Sequence, residues 1–219
     1  MLFVCIAKRS PVLLLAALLA IASASCNSGP AAIKPPSINA SAAGSKAMEL
    51  YDKNGDGVVS GAELDQAPAL KAAMATLDTN NDKGVSAGEV ADRVKSWQAN
   101  PAALTGVRAK VTLDGQPLSG AEVTFEPDAC LGDDIKLAKA TTGVYGDVSP
   151  VIPPELRPSE NHPGGVQLGL YIVRITKSIG GKETIPARYN TKTTLGQEVA
   201  YDDPAFKNRN IAFALKSAP

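Results

Sequence analysis

Two stretches of the chain repeat one spacing of oxygen-bearing side chains: D-K-N-G-D-G-V-V-S-G-A-E, residues 52–63, and D-T-N-N-D-K-G-V-S-A-G-E, residues 78–89. In the first, Asp52, Asn54, Asp56, Ser60 and Glu63 stand at positions 1, 3, 5, 9 and 12, and Val58 at position 7 offers its backbone carbonyl. In the second, Asp78, Asn80, Asp82, Ser86 and Glu89 fill the same places, and Gly84 offers the carbonyl. An all-oxygen set ending in a bidentate carboxylate suits a hard divalent cation that takes roughly six to eight oxygens in a tolerant geometry, which is calcium. Each loop brings three carboxylates together. Their repulsion is costly without a metal and becomes attraction with one.

Twelve-residue loops of this composition resemble those of EF-hand proteins. The resemblance implies Ca2+ as the bound ion and a helix on either side of each loop. Gly57 occupies position 6, where the chain turns with a positive φ that glycine reaches without a Cβ clash. The second loop departs there: Lys83 holds position 6, which predicts local strain, with Gly84 next to it placed to ease the turn. Val59 and Val85, at position 8, are the apolar pair expected to bridge the loops. The loops begin only 26 residues apart, at 52 and 78, so the intervening helices must be short. That compactness favours a structural or low-affinity extracellular module, with a dissociation constant of about 10⁻⁵–10⁻⁴ M.

The elements that must position these loops are legible in outline. Residues 46–99 read as helical. Leu70, Ala73, Met74 and Leu77 follow i, i+3, i+4, i+7 spacing, and Pro68 fits the first turn of that helix. Val90, Val94 and Trp97 make a second stripe, with Trp97 as a core anchor. Pro101 ends the helical region.

From Leu104 onward the pattern becomes that of strands. Val107, Ala109, Val111 and Leu113 share one parity, and Val123 and Phe125 alternate with Thr124 and Glu126. Around Leu170-Tyr171-Ile172-Val173 both parities are apolar, which predicts a central strand covered on two faces. Ile211, Phe213 and Leu215 form a last alternating strand. The expected fold class is therefore α+β multidomain: a small all-α EF-hand pair over 46–99, followed by an antiparallel β-sandwich over 104–217. V-T-L-D-G-Q-P-L-S-G-A-E-V-T-F-E-P, residues 111–127, and the later G-L-Y-I-V, residues 169–173, resemble carboxypeptidase regulatory-like domains, which have a transthyretin-like or Cna-B-like sandwich. In that resemblance Thr141–Gly146 holds the place of a hairpin but lacks the family's Asp. Such domains are non-catalytic accessories of secreted proteins.

The N-terminus reads as a targeting segment. Lys8 and Arg9 precede an apolar run from Pro11 to Ala22, too short to span a bilayer, and small residues lead to Cys26. Residues 1–25 are the expected signal peptide. A Cys after small residues resembles the lipobox of bacterial lipoproteins, though Ser23 replaces the usual Leu. Either Cys26 carries a lipid anchor or it remains a plain thiol after ordinary cleavage, in which case a bridge to Cys130 is conceivable. Residues 26–45, rich in Ser, Ala, Pro and Gly, read as a flexible tether. The leader, loop pair, sandwich and the stretch I-P-A-R-Y-N-T-K-T-T-L-G (185–196) together resemble cell-envelope lipoproteins of planctomycete-type bacteria, which implies an exported, membrane-anchored location.

Composition narrows the function. The 22 basic and 22 acidic residues balance and intersperse, which excludes nucleic acid as an expected partner. His162, the single His, lies in a Pro/Gly-rich loop, and Cys130 has no His near it in sequence. No G-x-S-x-G, phosphate loop or dinucleotide fingerprint occurs, so a non-catalytic protein is expected. Three roles fit: a calcium-stabilised structural or binding protein of the envelope, an adhesin or carbohydrate-binding module with the loop pair as spacer, and an accessory subunit of an envelope enzyme. The polar stretches 153–168 and 180–209 are the expected contact loops for a protein or glycan partner.

Overall fold

In the chain the helical segments come first, and their packing follows from small residues at the crossings. The computed structural model describes residues 35–157 and 162–218; the expected leader, Cys26 and the first part of the expected tether lie outside the described residues. Helix α1 (Ala40–Tyr51) begins inside the stretch read as tether. The Asn39 side chain caps it, accepting from the Ala42 amide at 3.0 Å, and the following A-S-A-A is rich in the best helix former. Helix α4 (Ala87–Gln98) starts at Ser86, whose hydroxyl and the Glu89 carboxylate form a reciprocal capping box. The two helices cross at Gly44, where a Cβ would stand 2.2 Å from the Ala87 carbonyl oxygen, so no larger residue fits.

Between them run a 3₁₀ turn over Gly61–Gln66, α2 (Pro68–Ala72) and α3 (Met74–Leu77). The single helix expected from Pro68 to Leu77 is broken at Ala73, with φ −94° and ψ 7°. Thr76 Oγ1 lies 2.8 Å from the Ala73 carbonyl oxygen, with its one proton directed to the Glu198 carboxylate. The apolar stripe survives the break, since Leu70, Ala73 and Leu77 are all fully buried. Strands β1 (Val58–Ser60) and β2 (Gly84–Ser86) pair antiparallel within this helical layer.

The rest of the chain is sheet. One four-stranded sheet runs β11 (Leu195–Val199), β8 (Gly169–Thr176), β5 (Glu122–Pro127) and β6 (Ala138–Thr141), with antiparallel pairing throughout. The other is built on β3 (Ala109–Leu113), flanked by β12 (Ile211–Leu215) and β4 (Gln116–Pro117), with β7 (Asp147–Val148) also on β3. The expectation of purely antiparallel pairing is corrected here. β3 and β12 are parallel, Ala109 opposite Ile211 through Leu113 opposite Leu215. The Thr141–Gly146 segment is likewise no hairpin: β6 before it and β7 after it belong to different sheets. The span 180–209 is not a loop either, since it holds β10 (Lys182–Glu183), paired with β9 (Ser178–Ile179), as well as β11 and α5 (Pro204–Lys207).

Three layers result. Phe125 of β5 packs edge-on against Phe213 of β12 with centroids 6.2 Å apart, joining the two sheets. On the opposite face of the first sheet, a Cβ on Gly196 of β11 would stand 1.9 Å from the Pro68 carbonyl oxygen, so α2 lies directly on the strand. β8 in the middle is buried on both faces at its start, Leu170 on the helical side and Tyr171 on the sheet side, neither exposed at all. The helices and both sheets share one continuous hydrophobic core, with no break at the expected boundary near residue 100.

Candidate metal centre

The two acidic loops share most of their hydrogen bonds and turn with a positive φ at positions 4 and 6, but they part at position 10, where Gly61 has φ 51° and Ala87 opens α4. At position 1, Asp52 Oδ2 accepts from the position-6 amide of Gly57 at 2.9 Å, and Asp78 Oδ2 accepts from that of Lys83 at 3.0 Å. The position-5 amide donates to the position-3 side chain: Asp56 to Asn54 Oδ1 at 2.8 Å, Asp82 to Asn80 Oδ1 at 3.0 Å. The position-7 amide donates to the position-5 carboxylate: Val58 to Asp56 at 3.0 Å, Gly84 to Asp82 at 2.9 Å. Glu63 and Glu89, at position 12, reach back ten residues to accept from the amides of Lys53 and Thr79, at 2.8 and 3.0 Å. Their second oxygens accept from the amides of Ser60 and Ser86 at 3.1 and 2.9 Å. The side chains of positions 1, 3, 5 and 12 are thus gathered around each loop by the backbone itself.

Position 6 shows what Lys83 costs. Gly57 has φ 88° and Lys83 φ 69°. The lysine accepts the left-handed conformation that suits glycine, at a cost of about 1 kcal/mol. Gly84 plays a different part from the one expected. Its φ is not positive, and a Cβ there would meet Val58 Cγ1 at 2.2 Å. It is needed for the close approach of β2 to β1. That pairing sets Val59 opposite Val85, both fully buried, and holds the loops back to back.

The donor set is carboxylate, amide, hydroxyl and carbonyl oxygen without His or Cys, which fits a hard divalent cation and not a soft one. Among the described residues no group of three or more His, Cys, Asp or Glu side chains stands in a metal-holding arrangement. The carboxylate oxygens of Asp52, Glu63, Asp78 and Glu89 all accept from backbone amides. Partial burial pushes the Glu89 carboxyl up, and the Ser86 and Thr79 donors outweigh it, so the group titrates below the usual carboxylate range.

Two buried polar contacts tie the loops to the sheets. Tyr51, the residue before Asp52, donates its hydroxyl to Asp128 Oδ2 at 2.9 Å, and Asp128 is fully buried at the end of β5. Burial foremost, with Asp128 beside it, raises the Tyr51 hydroxyl. Near the second loop, Thr76 donates to Glu198 of β11, which also accepts from Arg93 Nε at 2.6 Å and Trp97 Nε1 at 3.1 Å. Arg93 forks onward to Asp202, at 2.8 and 2.6 Å. Sequence reasoning missed Arg93, Asp128, Glu198 and Asp202. The signal that could have found one of them is the parity of β11, which puts the charge of Glu198 on the same face as Gly196. Cys130 is buried and has no disulfide partner among the described residues, and burial pushes its thiol up. His162 Nδ1 lies 3.1 Å from the Pro163 carbonyl oxygen.

Compared with known protein families the chain matches no family model, and compared with curated proteins it finds no match.

Proposed function

We propose that the protein binds calcium through the loop pair 52–63 and 78–89, as an exported, lipid-anchored and non-catalytic structural or binding protein of the cell envelope. The observation that carries this reading is the repeated hydrogen-bond pattern of the two loops, held back to back by the Val59–Val85 pairing. Asp52, Asn54, Asp56, Ser60 and Glu63, with the Val58 carbonyl, would hold one ion. Asp78, Asn80, Asp82, Ser86 and Glu89, with the Gly84 carbonyl, would hold the second. The ion supplies charge neutralisation between the helices and no chemistry. The Tyr51–Asp128 and Thr76–Glu198 contacts carry that ordering into the sheets, so the role is stiffening of the whole fold and not signalling. The helical pair is an EF-hand pair in this reading, and the two sheets a transthyretin-like sandwich.

Calorimetric titration with calcium tests it, repeated with Glu63→Gln and Glu89→Gln. Two binding events, one lost in each variant, are expected, together with a higher Tm at millimolar calcium. Absence of both heat and thermal stabilisation would falsify the reading. Labelling with radioactive palmitate, lost in Cys26→Ala, tests the anchor separately.

A further inference from the structure

At the end of the second sheet, away from the acidic loops, lies an open groove of about 460 Å³ lined by Gly106, Val107, Arg108, Ser149, Val151, Gly164 and Arg209, among others. The topology assembles it. β12 and β3 start side by side, Ile211 opposite Ala109, which brings Arg209 and Arg108 to the same edge. β7 ends on the other flank of β3, Val148 opposite Ala109, which delivers Ser149. Gly164 closes the wall, with the Arg157 guanidinium beside it: a Cβ on Gly164 would lie 3.3 Å from Arg157 Nη2. Arg157 is fixed there by its Nε, which donates to the Ile152 carbonyl at 2.8 Å.

Arg209 occupies a position that its side chain makes unfavourable. It follows α5, and the Arg209 amide donates to the Phe206 carbonyl and the Asn210 amide to the Ala205 carbonyl, each at 3.0 Å. This is a Schellman cap, whose left-handed residue is usually glycine. Here it is Arg209, at φ 54°. The cap needs no side chain, and a β-carbon there strains the backbone. Among the described residues neither Arg209 nor Arg108 forms an ion pair with a carboxylate.

We propose that this groove binds an oxyanion-bearing ligand, a carboxylate or phosphate on a compact body, with Arg108 and Arg209 as its recognition residues. Guanidinium forks pair with such oxyanions through two parallel hydrogen bonds, Ser149 adds a hydroxyl, and Val151, 37% exposed, gives an apolar wall for the body. The site is separate from the loop pair and stands whether or not calcium binds.

The test is an amide-NMR titration of the purified chain at low ionic strength, with inorganic phosphate in one arm and glucuronate in the other. Saturable shifts at the amides of Arg108, Ser149, Gly164 and Arg209 are expected with at least one anion. Tighter phosphate binding assigns a phosphorylated ligand, and tighter glucuronate binding an acidic sugar. Arg108→Ala and Arg209→Gly should each weaken binding about fivefold or more. Arg209→Gly should at the same time raise Tm by roughly 2–4 °C, because it relieves the cap. No saturable shift at these amides with either anion up to about 50 mM, a range that reaches even very weak binding, overturns the proposal. So does an Arg209→Gly variant that binds as tightly as the parent.

Discussion

Arg93 Nε lies 2.6 Å from Glu198 Oε1, across the junction of α4 and β11, where Arg93 is 8% exposed and Glu198 not at all. Trp97 and Thr76 also donate to Glu198, so both oxygens of the buried carboxylate are hydrogen-bonded. Burial alone would lower the Arg93 guanidinium; its two carboxylate partners outweigh this and hold it above its ordinary range. A buried pair of this kind contributes little net stability when whole, yet losing one partner strands a charge.

Arg93→Ala is therefore expected to cost about 3–5 kcal/mol in urea unfolding. The double variant Arg93→Met with Glu198→Leu should recover most of that loss. If the single variant unfolds at the parent's urea midpoint, the junction is not held by this pair.

Gly196 is the point where the helical layer touches the sheet, with Pro68 directly above it. Gly196→Ala should destabilise by about 1–3 kcal/mol through overpacking. Gly196→Val should do worse. Circular-dichroism melts of the two variants check the order.

Lys83 carries a positive φ that glycine would accept freely. Lys83→Gly is expected to stabilise the metal-free protein by about 1 kcal/mol. It should also tighten calcium binding at the second loop and leave the first unchanged. Calorimetry on this variant beside Glu63→Gln separates the two loops.

The Asp202 carboxyl, hydrogen-bonded by the Arg93 fork, sits below its ordinary range. A depressed carboxylate contributes its stability in full above its unfolded pKa, near about 3.9, and loses it as pH falls through the lower folded value. Stability should thus be flat from neutral pH down to about pH 4 as far as this group is concerned, then fall below that. Urea midpoints for the parent and Asp202→Asn across this interval should converge at the acid end. Parallel curves would rule out this contribution.

Local chemistry was readable, and long-range placement was not. Asp52 to Glu63 and Asp78 to Glu89 announce a repeated loop because each loop closes on its own backbone, ten residues away at most. Val59 and Val85 could be paired from position alone. The buried stripe of Val90, Val94 and Trp97 followed from helical spacing. Glu198 could not be assigned a partner, because Arg93 lies 105 residues earlier and only the packing of α4 on β11 brings them together. The start of α1 at Ala40 was hidden by a composition that suits a tether as well as an Ala-rich helix. The parallel register of β3 and β12 was hidden for a third reason: alternation tells which face a residue takes and says nothing of strand direction.

That register has a mechanical meaning. The five residue pairs from Ala109–Ile211 to Leu113–Leu215 run in the same direction. A pull reaching the start of β3, opposed by a pull on the end of β12, loads this ladder along its length. Its hydrogen bonds must then fail together and cannot open one at a time like a zipper. A protein tethered at one end and gripped at the other would meet tension with its strongest geometry, and single-molecule stretching would register it as one high-force rupture.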